Sequence, residues 1–289
     1  MMNRMLQLNF SLALRNGSVV IFFFYFLITP FFVAAQEYPA LEWAKLIGST
    51  KDDFSSSIAT DASGNVYSAG SFVGTVDFDP GAGVFNITSQ GFLTNSDIFV
   101  LKLDANGNFL WAAGMGGSSG RGNARGVDVD AAGNVYITGV LNGTIDFDPG
   151  PGVFTASAVQ ADDIFICKLD VDGNFQWVKS FGGFASDIGW AITVDASGNV
   201  YTTGEFWGPV DFDPGPAVLN VNSVDRYDVF VLKLDTDGNF GWVKSFGGIQ
   251  DDSGLAVTLD GAGNVFTTGR WDRMHLKGCC ECTSSFLTP

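Results

Sequence analysis

The sequence predicts an all-β protein built by repeating one four-stranded unit, and three observations carry that expectation. Trp43, Trp111, Trp177 and Trp242 open corresponding segments at spacings of 68, 66 and 65 residues. Turns of the form Asp-x-x-Gly-Asn recur through every repeat, and their glycine supplies the positive φ that tight hairpins need. Short apolar stretches bounded by such turns run the length of the chain, and none shows helical periodicity.

The elements read most clearly in the third repeat. The first strand is Ala191-Ile-Thr-Val194, closed by the turn Asp195-Ala-Ser-Gly-Asn199. Strand two is Asn199-Val-Tyr-Thr-Thr-Gly204. A long excursion carrying Asp211-Phe-Asp-Pro-Gly215 follows, and its Pro and Gly predict a loop rather than a central strand. Strand three is Asp228-Val-Phe-Val-Leu-Lys-Leu234. A second turn, Asp235-Thr-Asp-Gly-Asn239, leads into strand four from Phe240 to Phe246. The first turn returns at Asp61, Asp130 and Asp260, and strand three returns at Asp97 and Asp163. The uneven spacing comes from extra residues before Asp97 and before Asp130, in loops, where insertions are tolerated.

Strand three is apolar on both faces, so each sheet is expected to be covered on both sides. Four strands per unit, two hairpin turns and aromatic residues at fixed places are the cues of a β-propeller blade. A solenoid is disfavoured because its coils are shorter than this period. The expected architecture is three full blades plus a partial fourth, an incomplete ring. Val194-Asp-Ala-Ser-Gly-Asn-Val-Tyr201, with Thr-Gly after it, and Asp228 to Trp242 resemble the bacterial β-propeller repeat known as SBBP. The first half is also similar to the NHL repeat. The resemblance covers about residues 41–271 and implies the propeller fold in a secreted or surface protein, with no assigned activity. Trp43-Ala-Lys-Leu-Ile-Gly48 reads as a fourth strand with no preceding three, the kind that completes the last blade of a ring.

Three regions follow. Residues 1–35 carry Arg4 and Arg15, no acidic residue, and an apolar run from Val19 to Val33 before Val33-Ala34-Ala35. That pattern predicts a signal peptide cleaved after Ala35; the run is short for a membrane-spanning helix, which needs about 20 residues. Residues 36–271 hold the repeats, in units starting near 43, 111, 177 and 242. Residues 272–289 form an aberrant tail, because the pattern of the fourth unit is lost from Asp272. The tail holds His275, Cys279, Cys280 and Cys282. Thiolate and imidazole suit zinc, but there is no paired Cys-x-x-Cys and adjacent cysteines converge poorly; a frameshift or degenerate end is the favoured reading, making the chain a fragment. Cys167 replaces an aliphatic residue of strand three, as a buried free cysteine does.

Removing residues 1–35 leaves 13 basic against 31 acidic residues, a net charge of −18. Such a field disfavours nucleic acid and anionic membrane and favours cations or basic partners. The chain is 46% apolar with 27 Phe and 7 Trp, which excludes disorder despite the charge. The acidic pairs Asp77/Asp79, Asp146/Asp148 and Asp211/Asp213 have a spacing that places both carboxylates on one face of an extended strand. Calcium there is a possible cofactor, against a structural role as turn formers. Asp104, Asp170 and Asp235 open segments like a calcium loop, but hairpin turns explain them more simply. The glycine-rich stretch Gly114 to Gly120 lacks the lysine of a phosphate loop and reads as an inter-blade connection. Histidine is absent outside the tail, so histidine-based catalysis has no candidate.

Residues shared by all blades hold the blade together, so specificity is expected from residues that break the repeat. Those are Arg121, Arg125, Glu205, Trp207, Asp225, Arg226 and Tyr227. The expected function is an exported, non-enzymatic repeat protein of the cell surface that binds a protein or glycan partner, with no assigned catalytic, cofactor or metal residues. The alternatives are a lyase or hydrolase using acidic residues and a calcium-stabilised structural module.

Overall fold

A computed structural model describes residues 41–91 and 95–271 and the backbone of 285–287. The predicted signal segment, and the tail apart from those last three residues, lie outside the described residues. Every regular element described is a strand, and no helix among the described residues is long and apolar enough to cross a membrane.

The first repeat gives β1 (Phe54–Thr60), β2 (Val66–Phe72), β3 (Thr75–Asp77), β4 (Asn86–Thr88), β5 (Asp97–Leu103) and β6 (Phe109–Met115). The second gives β7 (Arg121–Val129), β8 (Val135–Asn142), β9 (Thr144–Asp146), β10 (Thr155–Ser157), β11 (Asp163–Leu169) and β12 (Phe175–Phe181). The third gives β13 (Ile188–Val194), β14 (Val200–Asp211), β15 (Asn220–Leu234) and β16 (Phe240–Phe246). The fourth gives β17 (Ser253–Leu259), β18 (Val265–Arg270) and β19 (Ser285–Leu287). They form three antiparallel four-stranded sheets, β1-β2-β5-β6, β7-β8-β11-β12 and β13-β14-β15-β16, and a three-stranded sheet β17-β18-β19. Within the tail, β19 pairs antiparallel with β18.

The excursion expected as a loop is instead a paired hairpin. β3 pairs with β4 and β9 with β10, while in the third repeat β14 and β15 continue through it as far as Asp211 and Asn220. The Asp-Phe-Asp motif closes it. Asp77 accepts hydrogen bonds from the N–H groups of Asp79 (3.1 Å) and Phe85 (2.8 Å), bridging the bend at its proline. Asp146 and Asp211 repeat both bonds, and the intervening Phe78, Phe147 and Phe212 are buried anchors.

Strand three divides its side chains between two cores, as period-two alternation requires. Ile164 and Ile166 join the cluster shared with the third sheet, whereas Phe165, Cys167 and Leu169 join the one shared with the first. Burial pushes the Cys167 thiol far above its ordinary range. The first strands β1, β7, β13 and β17 lie side by side in that order, so the sheets succeed one another through their innermost strands.

A repeated polar staple joins neighbours at the hairpin end. Trp111 Nε1 and Lys102 Nζ both donate to Val171 O in the next sheet's turn, at 3.1 and 3.2 Å. Trp177 and Lys168 do the same to Thr236 O, both at 3.1 Å, and each lysine lies over a tyrosine of its own sheet. Residues 41–48 carry no strand pairing, yet Trp43 Nε1 donates to Ala105 O at 3.0 Å, the equivalent carbonyl of the first sheet.

Candidate functional site

Every first strand contains a β-bulge, and the extra residue is different in each repeat. Register shifts fall between Ser55 and Ser57, Ala124 and Gly126, Gly189 and Ala191, and Gly254 and Ala256. The residues so singled out are Ser56, Arg125, Trp190 and Leu255. A bulge re-aims its side chain out of the sheet alternation. The close approach this demands explains the Gly of strand two: a Cβ on Gly139 or Gly204 would lie 2.0 or 1.8 Å from the carbonyl oxygen of Asn123 or Ile188.

On β7 and β13 the two bulges meet, and the Arg125 guanidinium lies 4.2 Å from the centroid of the Trp190 ring. Such a stack is a favourable cation–π contact. Burial lowers the Arg125 pKa, and the nearby carboxylates of Glu205 and Asp162 act against that. Arg125 Nε and Trp190 Nε1 are both buried with no hydrogen-bond partner. Glu205, on β14, accepts from Ser253 Oγ on β17. Beside it Trp207 packs against Tyr227 at 5.6 Å and against Phe184 at 6.2 Å, and Phe184 and Trp207 are 52% and 38% exposed. Arg121 pairs with Asp162 at 2.8 Å, which also accepts from Asn142 at 3.0 Å. Arg226 faces Asp251 at 3.4 Å, with Asp225 exposed next to it.

The structure thus gathers the repeat-breaking residues at one end of the second and third sheets, opposite the Asp-x-x-Gly-Asn turns, with Ser253 of the fourth sheet against Glu205. Sequence reasoning missed Trp190, Phe184, Asp162 and Ser253. Trp190 was detectable, since its equivalents are Ser56, Arg125 and Leu255; the others join through contacts that no spacing reveals.

Beneath the cluster lie buried carboxylates. Burial raises Asp187 to about 7, with Asp163 adding repulsion, although the N–H groups of Trp207 (2.9 Å) and Gly183 (2.8 Å) donate to it. Asp97 and Asp163 are raised to about 6, again chiefly by burial, and Asp228 is raised for the same reason. Both Asp187 oxygens are engaged by backbone and the side chain is fully buried. Its shift therefore reports burial rather than a base facing solvent. Tyr227 is pushed up by burial and then by Glu205, Asp187, Asp251 and Asp162.

In the acidic pairs singled out for calcium, one oxygen of each carboxylate accepts from backbone N–H groups. Asp79 accepts from Gly81 N–H at 2.7 Å, and Asp148 and Asp213 repeat the bond, in addition to the Asp77-type bonds above. No group of three or more His, Cys, Asp or Glu side chains placed to hold a metal occurs among the described residues. The turn aspartates are likewise engaged: Asp170 accepts from the N–H groups of Asp172 and Asn174 and from the Asn174 amide.

Repeated antiparallel four-stranded sheets joined by glycine turns define an all-β repeat protein of the propeller class. Residues 42–71 match the family model described as SBBP, a beta-propeller repeat, and the chain carries that family's repeat. At 25% identity over 235 residues, 79% of the chain aligns with 23% of the Regulatory protein FlaEY of Caulobacter vibrioides. At 25% identity over 219 residues, 66% of it aligns with 16% of an uncharacterized WD repeat-containing protein of Acanthamoeba polyphaga mimivirus. The chain thus spans less than a quarter of the length of these curated relatives. A crystal structure of a protein of unknown function from Bacteroides caccae covers 66% of this chain and 81% of its own, at 10% identity and a TM-score of 0.24.

Proposed function

We propose that the chain is an exported, non-enzymatic β-propeller protein, of three complete blades and a partial fourth, that binds a protein or glycan partner at the Arg125–Trp207 cluster. The observation that carries this reading is convergence. Arg121, Arg125, Glu205, Trp207, Arg226 and Tyr227 depart from the repeat, come from three separate stretches of sequence and meet at one end of the second and third sheets. Exposed aromatic rings rimmed by arginine and carboxylate groups match the composition of interaction hot spots. Flat rings beside directional donors and acceptors suit a sugar ring equally well. Export is supported by the charged, apolar and small-residue succession of residues 1–35.

The test is a glycan array and an envelope pull-down with the purified chain, each repeated with Trp207→Ala. Retention on one of them, lost at least tenfold in the variant while circular dichroism is unchanged, is the expected result. Equal retention by both proteins overturns the assignment of the site.

A further inference from the structure

One position of the repeat has two environments. Ile58, Val127, Ile192 and Val257 stand opposite Ser68, Ile137, Thr202 and Thr267, at the same register of their first strands. Val127, Ile192 and Val257 are 6%, 7% and 9% exposed, whereas Ile58 is 69% exposed. Around Ile58 the first sheet opens a groove of about 280 Å³ lined by Trp43, Phe54, Phe72, Phe99 and Leu101. The internal junctions show what belongs there. Val127 shares one buried core with Ala69, Val100 and Met115 of the preceding sheet, and its N–H donates to Ser57 Oγ of β1 at 3.2 Å. The matching cover for Ile58 is the face of another sheet of this same repeat.

A second observation points to the same occupant. In the first three sheets the fourth strand is β6, β12 or β16; Trp111 of β6 and Trp177 of β12 lie on the turn of the next sheet. Residues 41–48 place Trp43 on the first sheet in that way but pair with no sheet. The fourth sheet has β17, β18 and β19 and no fourth strand among the described residues. Among the described residues there is therefore a fourth strand without its sheet and a sheet without its fourth strand, and the two are not paired with each other.

We propose that a second copy of this chain fills the groove head to tail. The β17-β18-β19 sheet of one copy packs on the Ile58 face of the other and takes residues 41–48 of that copy as its fourth strand. Each copy gives and receives once, so the heterologous contact closes on itself. Four sheets from each copy make eight in all, within the roughly four to eight blades of propellers. In this structure the chain's own fourth sheet packs on the third, and Ile58 is open.

The register fixes a test. Ala256 is the fourth sheet's equivalent of Ser57, so in the assembly it lies beside Ile58 of the other copy. The full chain, with Cys279, Cys280 and Cys282 changed to Ser, is compared with the same protein carrying Ile58→Cys and Ala256→Cys. Twice the chain mass by light scattering, and a disulfide-linked dimer on oxidation, are the expected results. Ile58→Asp, at an exposed position, is expected to halve the mass with circular dichroism unchanged. A one-chain mass overturns the proposal, whether residues 1–40 fill the groove or the chain closes on its own fourth sheet through an intrachain disulfide. Open polymers, or a dimer that survives Ile58→Asp, overturn it as well.

Discussion

At the hairpin end of the third sheet, Asp195 accepts from the N–H groups of Ser197 and Asn199, both at 2.9 Å. It also takes the Asn199 amide at 2.7 Å and the Tyr201 hydroxyl at 3.2 Å. Partial burial pushes its pKa up, but these bonds outweigh it and hold the carboxyl below its ordinary value. At the opposite end, on the second sheet, Asp163 is buried with one oxygen bound to Val159 N–H and the other without a partner, and its pKa rises to about 6. One residue type thus does opposite things at opposite ends of neighbouring sheets. The hairpin end is satisfied, and its Asp–Asn bonds are the same in all four repeats. The other end carries uncompensated burial beneath the residues that vary, which is where strain at a working surface is expected to collect.

The largest effect that separates the two ends is on pH. From about pH 4 to 6 or 7 the folded chain keeps protons on Asp97, Asp163 and Asp187 that the unfolded chain has released, so stability falls as pH rises through that window. Below it the turn aspartates reverse the sign, because the unfolded chain then binds protons that the folded one refuses. Unfolding free energy from urea titrations is expected to rise by on the order of 3 kcal/mol from pH 8 to pH 5 and to fall again under stronger acid. A profile that is flat from pH 8 to pH 5 would mean that the buried carboxylates are solvated.

Asp195→Ala tests the hairpin end alone. Loss of a turn that accepts four bonds is expected to cost about 2 kcal/mol at pH 7. The cost should fade as acid protonates the wild-type carboxyl, and a cost independent of pH would assign it to packing. Smaller still, Asp163→Asn keeps an acceptor for Val159 and removes the buried charge. It is expected to gain about 1 kcal/mol at pH 8 and to flatten the slope between pH 5 and pH 7; a loss at pH 8 would place a solvating group beside the orphaned oxygen.

Much of this comparison was legible in the sequence. Asp-x-x-Gly-Asn is a local device whose partners lie within six residues, so its turns and the strands flanking them could be placed from spacing. The Asp-Phe-Asp-Pro-Gly excursion was misjudged as a loop because Pro and Gly mark its bend, while the bonds from Asp77 to Phe85 that pair its arms are invisible to pattern. Of the site, Arg121, Arg125, Glu205, Trp207 and Tyr227 were named because they break the repeat. Trp190, Phe184 and Asp162 were not, since what makes them members is contact across sheets.

The sequence by itself determined the repeat, the strands and their turns, because each depends on residues close together along the chain and recurs often enough to be recognised. Only the tertiary structure decided which departures from the repeat share a surface, which aspartates lose water, and that Ile58 stands open while Val127 does not. Those outcomes depend on what the next sheet places opposite a residue, and identical local patterns give no account of their neighbours.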